Sequence, residues 1–414
     1  MKKLLFIFLL SVPFFSFATH ERAGEITYRY IGPTTFPYSY QYEFTVTTYT
    51  RGQSCNADRC SLEINFGDDT IQHTINRING PPCPLPVSCG NAQPPCSNCG
   101  QMIGLPGDDV KKNIYVTTHS YPGPNEYIIS VTDQNRNHNI VNIPNNSTPF
   151  SIQDTLKINT FLGGFNNSVT LQNPPIDKAC AGKLFVHNPG ASDIDGDSLS
   201  YILGKCFQGL NMPIGGYTIP AGVSVDPITG DFIWNVPPVL TSNADPCDEY
   251  NFAMDIIEWR RYGSGYMKVG TVRRDMQVTV CNCLNDPPVI AAVKDTCILA
   301  NTSLTLTVTA TDANGGIQSF TATGGPFSTI PPATFTSDAP IANPPSTGIF
   351  SWTPTCNQVR QQPYLVTFKA VDDGAPDSPP MPLTDYETFF ITVIAPAPQN
   401  LMAEPQCTYM ELKW

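Results

Sequence analysis

Proline constrains this chain more than any other residue. It holds 40 of the 414 positions, about twice its ordinary share. A proline inside a helix removes a donor and clashes with the preceding turn, so prolines at this density leave almost no room for long helices. Between them the chain is rich in Thr, Val, Ile, Tyr and Phe, the composition of strands. Helical bundles, coiled coils and doubly wound α/β folds are therefore disfavoured. At about 150 residues per domain the length suits about three domains. Apolar residues make up 41 %, enough for several cores, which argues against disorder.

Only 14 % of residues are charged, and the formal net charge is −12. Phosphate would be repelled by such a surface, so nucleic acid is not an expected partner. The balance suits a soluble surface protein or one that binds cations.

The chain opens Met1-Lys2-Lys3, continues with the apolar run 4–17, and reaches Ala18. A basic start, a short apolar run and a small residue make a secretory signal peptide, with cleavage expected after Ala18 and Thr19 as the mature N-terminus. The run is too short to span a bilayer, and Pro13 interrupts it. No later segment approaches a membrane span, so the mature chain is expected to be secreted or held at the outer cell surface without a transmembrane segment.

In an oxidising compartment the 14 cysteines read as disulfides. Cys83, Cys89, Cys96 and Cys99 lie in a loop rich in Pro, Gly, Ser and Asn. Cys96-Ser-Asn-Cys99 has zinc-like spacing, but export and the lack of a nearby second Cys-x-x-Cys pair favour disulfides. Cys297 and Cys356 could close a loop of about 60 residues, contributing up to about 4 kcal/mol in the chain-entropy model. Sequence alone leaves the pairing open.

Short alternating strands run from residue 19 to about 158, such as Tyr40-Gln-Tyr-Glu-Phe-Thr-Val-Thr-Thr-Tyr49. Phe66-Gly-Asp68-Asp69-Thr is later answered by His119-Ser-Tyr121-Pro-Gly-Pro-Asn-Glu-Tyr127-Ile-Ile-Ser-Val131. This pairing resembles the polycystic kidney disease (PKD) domain, an immunoglobulin-like β-sandwich. Two departures stand out: Asp69 where the family usually has glycine, and Glu126 where it has glycine before the last tyrosine. Residues 80–108 look like a cysteine-rich insertion.

The next two units repeat each other. Thr229-Gly230-Asp-Phe-Ile-Trp234 is matched by Thr347-Gly348-Ile-Phe-Ser-Trp352, and Asp193-Ile-Asp195-Gly196-Asp197 by the region of Asp312-Ala-Asn-Gly315. Both units, 159–285 and 286–394, resemble cadherin-like and dystroglycan-type β-sandwich repeats. Trp234 and Trp352 are expected in cores. Glu258-Trp-Arg-Arg-Tyr262 reads as an amphipathic strand with its tryptophan buried. Residues 395–414 read as a stiff linker and the first two strands of a fibronectin type III domain, which implies that the chain is a fragment of a longer protein. The expected class is all-β: tandem immunoglobulin-like sandwiches in an elongated, disulfide-stapled array.

Asp193, Asp195 and Asp197 alternate around a glycine turn, which lets their carboxylates converge. Two carboxylates about 5 Å apart repel by roughly 3 kcal/mol at an effective dielectric near 20. Calcium, with six to eight oxygen ligands, relieves that repulsion. The cadherin resemblance implies calcium at unit junctions, with Asn285, Asp286, Asp372 and Asp373 as further ligands. The full junction motif of that family is reduced here to Asn285-Asp286-Pro287. The competing reading is that these residues cap turns.

No nucleophile elbow, zinc helix or P-loop occurs, and the five histidines are scattered, so no catalytic role is expected within these residues. The opening Thr19-His-Glu-Arg-Ala-Gly-Glu-Ile-Thr-Tyr28, followed by such modules, resembles the large exported surface proteins of Bacteroidota. That family often ends in a gliding-motility-associated sorting domain read by the type IX secretion machinery, here expected beyond Trp414. Asp69-Thr-Ile, Asp154-Thr-Leu and Asp197-Ser-Leu match a short O-glycosylation pattern of that phylum. The resemblance implies adhesion or a stalk, with a glycan or protein ligand outside the cell. Its alternative is a spacer or polysaccharide-binding arm of a secreted hydrolase whose catalytic domain lies downstream.

Overall fold

A computed structural model describes residues 21–33, 40–52, 59–69, 71–80, 100–104, 109–134, 136–145, 147–162, 165–239, 247–397, 402–408 and 410–413. The signal sequence, most of the cysteine-rich insertion and Trp414 lie outside them. The described chain is all-β, with several sheets and helical geometry only in short 3₁₀ turns. None of its helices is long and apolar enough to cross a membrane.

The centre of the molecule is the Gly265–Cys281 strand, 17 residues long. It forms a hairpin with Cys247–Tyr262, in register from Tyr262↔Gly265 to Cys247↔Cys281. The same strand pairs with Phe150–Ile158 over three residues, touches Glu21–Pro33 at Gly24↔Asp275, and runs parallel to Ile176–Cys180. These pairings join strands from 19–158 and from 159–285 in one 14-stranded sheet.

Two cores form along it, as alternating patterns dictate. One gathers Tyr42, Phe44, Ile64, Phe66, Tyr121 and their neighbours. The other surrounds Trp234 with Tyr250, Phe252 and Met254. Trp234 is fully buried and donates its indole N–H to the Ala221 carbonyl at 3.2 Å.

Residues 286–394 make a separate sandwich of two four-stranded sheets. One carries Leu304–Thr311 and Ser346–Trp352 centrally, the other Thr384–Ile394 and Tyr364–Asp372. Phe320, Phe350, Phe368, Phe389 and Trp352 fill the space between them. Met402–Pro405 and Met410–Lys413 then form the antiparallel pair expected at the end of the chain.

Two disulfides staple one end of the second unit: Cys180–Cys283 and Cys247–Cys281. Cys180 and Cys281 are sheet partners, so both bonds close beside one parallel ladder. The Cys297–Cys356 bridge weighed from sequence is absent, and both thiols are exposed and free. Cys356 opens a short turn whose cap is Thr355, while Cys297 lies in the Thr296–Leu299 strand.

The 258–262 segment corrects another expectation. It is a strand, but Glu258 is the residue with no exposure, and Trp259 is half-buried with its N–H on Ser200 Oγ at 2.7 Å. The inward alternation of Phe252, Met254 and Ile256 carries on to Glu258, and a register shift follows between Glu258 and Trp259 beside Gly270. Glycine at 270 makes the room: a Cβ there would lie 1.9 Å from Glu258 Oε2 and 2.6 Å from the Tyr28 hydroxyl.

Candidate cation sites and the junction between the second and third units

The aspartates of 193–197 do converge, but a guanidinium supplies the positive charge. Arg260 donates from Nε and Nη2 to Asp197 at 2.9 and 2.6 Å and from Nη2 to Asp195 at 3.2 Å. Asp195 also accepts from the backbone and side-chain nitrogens of Asn167, each at 2.7 Å. Asp193 accepts the Asp197 backbone N–H through one oxygen, while its other oxygen is buried without a partner. Burial, reinforced by the neighbouring carboxylates, pushes the Asp193 pKa up to about 7. Arg260 comes from a strand more than 60 residues downstream, a pairing no local spacing reveals.

Behind this cluster lies a second acidic group that sequence reasoning missed. Glu258 accepts from Asn166 at 2.8 Å, but its other oxygen has no partner. Asp154, on Phe150–Ile158, is likewise buried with one orphaned oxygen. Burial holds both carboxyls well above their usual range. Thr155, the acceptor of the second glycosylation-like triplet, sits mid-sheet opposite Ile128 and Thr271. Ser198, in the third triplet, donates to Gln362 at 2.6 Å. Thr70, in the first, lies outside the described residues.

The other four predicted ligands meet where the second unit ends. Asn285 and Asp372 have no exposed surface. Asn285 donates its side-chain N–H to the Met381 carbonyl at 3.1 Å, and its Oδ1 is buried without a partner. Asp372 Oδ1 caps a turn by accepting from Gly374 and Leu383 at 2.8 and 3.0 Å, while Oδ2 is orphaned. Burial is the main cause that lifts the Asp372 pKa to about 7, and Asp312 adds its repulsion. Asp312 Oδ2 is buried and unpartnered too. A Cβ on Gly315 would approach both Asp373 Oδ1 and Asp312 Oδ1, so these carboxylates flank one glycine.

Asp373 caps its own turn by accepting from the Ala375 N–H and ties a distant loop by accepting from the Gly316 N–H. Asp286 is engaged by Lys183 at 2.5 Å. Asp377 secures the junction through the Leu284 and Asn285 N–H groups at 2.8 and 3.1 Å. Asp312, Asp377 and Lys183 were not singled out as functional, because each becomes relevant only when distant loops meet.

As a cation site the two groups differ. At 193–197 Arg260 already offsets one of the two carboxylate charges it contacts. At the junction the donor set consists of hard oxygens suited to calcium, and three of them are orphaned and buried. Among the described residues, no three His, Cys, Asp or Glu side chains are gathered as a metal cage. A cation there would draw on the Asn285 amide as well.

The remaining motifs are structural. His119 Nε2 meets Asp68 Oδ2 at 2.7 Å, and the imidazole stacks on Phe66 at 4.0 Å. Tyr121 donates to the Phe66 carbonyl at 2.9 Å. His187 pairs with Asp177 at 2.5 Å, while Tyr386 of the third unit donates to the same carboxylate at 3.1 Å. No family model matches this chain, and no curated protein matches it significantly.

Proposed function

We propose that this is a non-catalytic exported surface protein that works as a stiff modular arm, carried to the outer surface by the type IX secretion machinery. In this reading calcium, held at the junction by Asn285, Asp312, Asp372 and Asp373, tightens the third unit on the second. The observation that carries it is mechanical: the first two units are joined by main-chain pairing and buried charge pairs, and the third meets the second through side-chain hydrogen bonds.

Arg274 reaches Glu25 at 3.0 Å, and Arg136 grips Asp275 with two nitrogens at 2.9 and 2.7 Å, all with almost no exposure. Breaking one partner of such a pair leaves an uncompensated buried charge, costing about 3–5 kcal/mol. From the second unit to the third, Gln172 accepts from Gly324, and Asp177 from Tyr386. The test is thermal unfolding of the full chain in chelator and in millimolar calcium. A calcium-dependent rise in the melting temperature, lost in Asp372→Asn, supports the reading; identical melting in both buffers refutes the calcium part.

A further inference from the structure

The second and third units meet over a histidine. His187 ends the Phe185–His187 strand, opposite Phe232, and has no exposed surface. Its ring stands edge-on to Tyr386 of the third unit, with centroids 5.6 Å apart. Nδ1 lies 2.5 Å from Asp177 Oδ2, an oxygen that also accepts the Tyr386 hydroxyl at 3.1 Å. Burial works against a charge on Asp177, but Lys369, the imidazole and the Tyr386 hydroxyl outweigh it and hold the carboxyl below its ordinary range. Asp177 is therefore the acceptor and Nδ1 carries the ring proton. The other nitrogen, Nε2, is buried without a partner.

The charged groups around the ring come from several elements. Ile176–Cys180 brings Asp177, and Tyr364–Asp372 brings Lys369, 4.0 Å from Asp177 Oδ1. Gly265–Cys281 brings Arg274, which is held by Glu25 at 3.0 Å. Asp231, just before Phe232–Trp234, accepts from Asn188 and Thr388. On Thr384–Ile394, Asp385 and Glu387 accept the Ile290 and Val293 N–H groups of their own unit. None of these oxygens partners Nε2. A second proton on the ring would thus place a charged donor where no acceptor waits, and burying such a donor is costly. Burial, helped by Arg274 and Lys369, outweighs the pull of Asp177 and holds the imidazole below its usual range. The proton binds more readily once Tyr386 moves away and water reaches the ring.

We propose that the His187–Asp177–Tyr386 contact is an acid-released latch, which holds the third unit on the second near neutral pH and lets go when His187 is protonated. The inference rests on the stiff-arm reading for its docked units and adds a regulation to it; calcium has no part in it. A histidine disfavoured as a cation in the folded chain contributes stability above its ordinary pKa, and that contribution is lost as pH falls. The sign is opposite to that of Asp193, Glu258 and Asp154. A freed imidazole of pKa about 6.5 is about ten parts protonated to one neutral at pH 5.5, so opening of the contact should rise about threefold to tenfold between pH 7.5 and 5.5.

The test is amide exchange of Gly324 in the full chain, in chelator, resolved by NMR and corrected for the intrinsic pH dependence of exchange. The Gly324 N–H donates to Gln172 of the second unit at 2.8 Å, so it exchanges when the units part. Expected is a threefold to tenfold faster corrected exchange at pH 5.5 than at 7.5, falling below twofold in His187→Gln, which keeps an N–H for Asp177 and cannot titrate. The imidazole nitrogen shifts of the native chain give a second reading that needs no variant: His187 should titrate below its ordinary 6.5. Equal protection at both pH values, the same acceleration in His187→Gln, or titration at or above 6.5 would overturn the latch and leave the docked arm standing. Unprotected exchange of Gly324 at both pH values would overturn the latch and the arm together.

Discussion

Asp372→Asn separates the turn-capping role of this residue from its charge. Asp372 has no exposed surface, and its pKa moves from the ordinary 3.8 to about 7, chiefly through burial. Each pH unit between the two values is worth about 1.4 kcal/mol, so carrying the charge at pH 7.5 costs up to about 4 kcal/mol. Asparagine keeps an oxygen for the Gly374 and Leu383 N–H groups and removes the charge. In chelator at pH 7.5 the variant is therefore expected to be more stable than the native chain, by about 1–4 kcal/mol in urea unfolding followed by tryptophan fluorescence. The gain should shrink to about 1 kcal/mol at pH 4.5 and vanish below about pH 3.8, where the carboxyl is protonated in the unfolded chain as well. In calcium the native chain should recover most of the difference, because the cation compensates the charge. Equal or lower stability of Asp372→Asn in chelator at pH 7.5 would refute the reasoning: the orphaned oxygen would then have a partner that the asparagine cannot replace.

The other buried carboxyls make a pH statement of definite sign. Asp193, Glu258 and Asp154 hold protons to higher pH in the folded chain than when unfolded; their contribution is present below the ordinary carboxyl range and is lost as pH rises. Melting in chelator should therefore fall between about pH 4 and pH 7, a trend that a flat or rising profile would contradict. Gly270→Ala forces a Cβ against Glu258 and Tyr28 and should destabilise the chain by more than about 2 kcal/mol, measured by urea unfolding. Arg260→Gln leaves Asp195 and Asp197 without their cation and should cost about 3 kcal/mol, with calcium restoring part of it. Replacing Cys180 and Cys283 together by serine opens a disulfide that spans 103 positions and should cost roughly 4–5 kcal/mol in the chain-entropy model, read by the shift in urea midpoint.

The strand alternation and the proline density made the all-β class legible, and both repeated tryptophans occupy the cores expected of them. The acidic motifs were legible as clusters but not in their chemistry. Asp193, Asp195 and Asp197 announce repulsion, yet the residue that relieves it, Arg260, lies on another strand. At the junction, turn capping and orphaned oxygens coexist within single side chains: Asp372 caps with one oxygen and leaves the other bare. Glu258 escaped because the apolar bulk of Trp259 drew the inward assignment, whereas alternation with Phe252, Met254 and Ile256 puts Glu258 on the inner face. The shared sheet was hidden for a similar reason, since pairing between residues 154–156 and 270–272 spans more than a hundred positions.

Hydrogen exchange on the full chain tests the fusion of the first two units most directly. One sheet with buried charge pairs should open cooperatively, so amides of Phe44 and Val46 in the first core and of Phe252 and Met254 in the second should share one opening free energy, and Arg136→Met should lower it for both. Different opening energies for the two cores, with Arg136→Met lowering only one, would contradict a stiff arm.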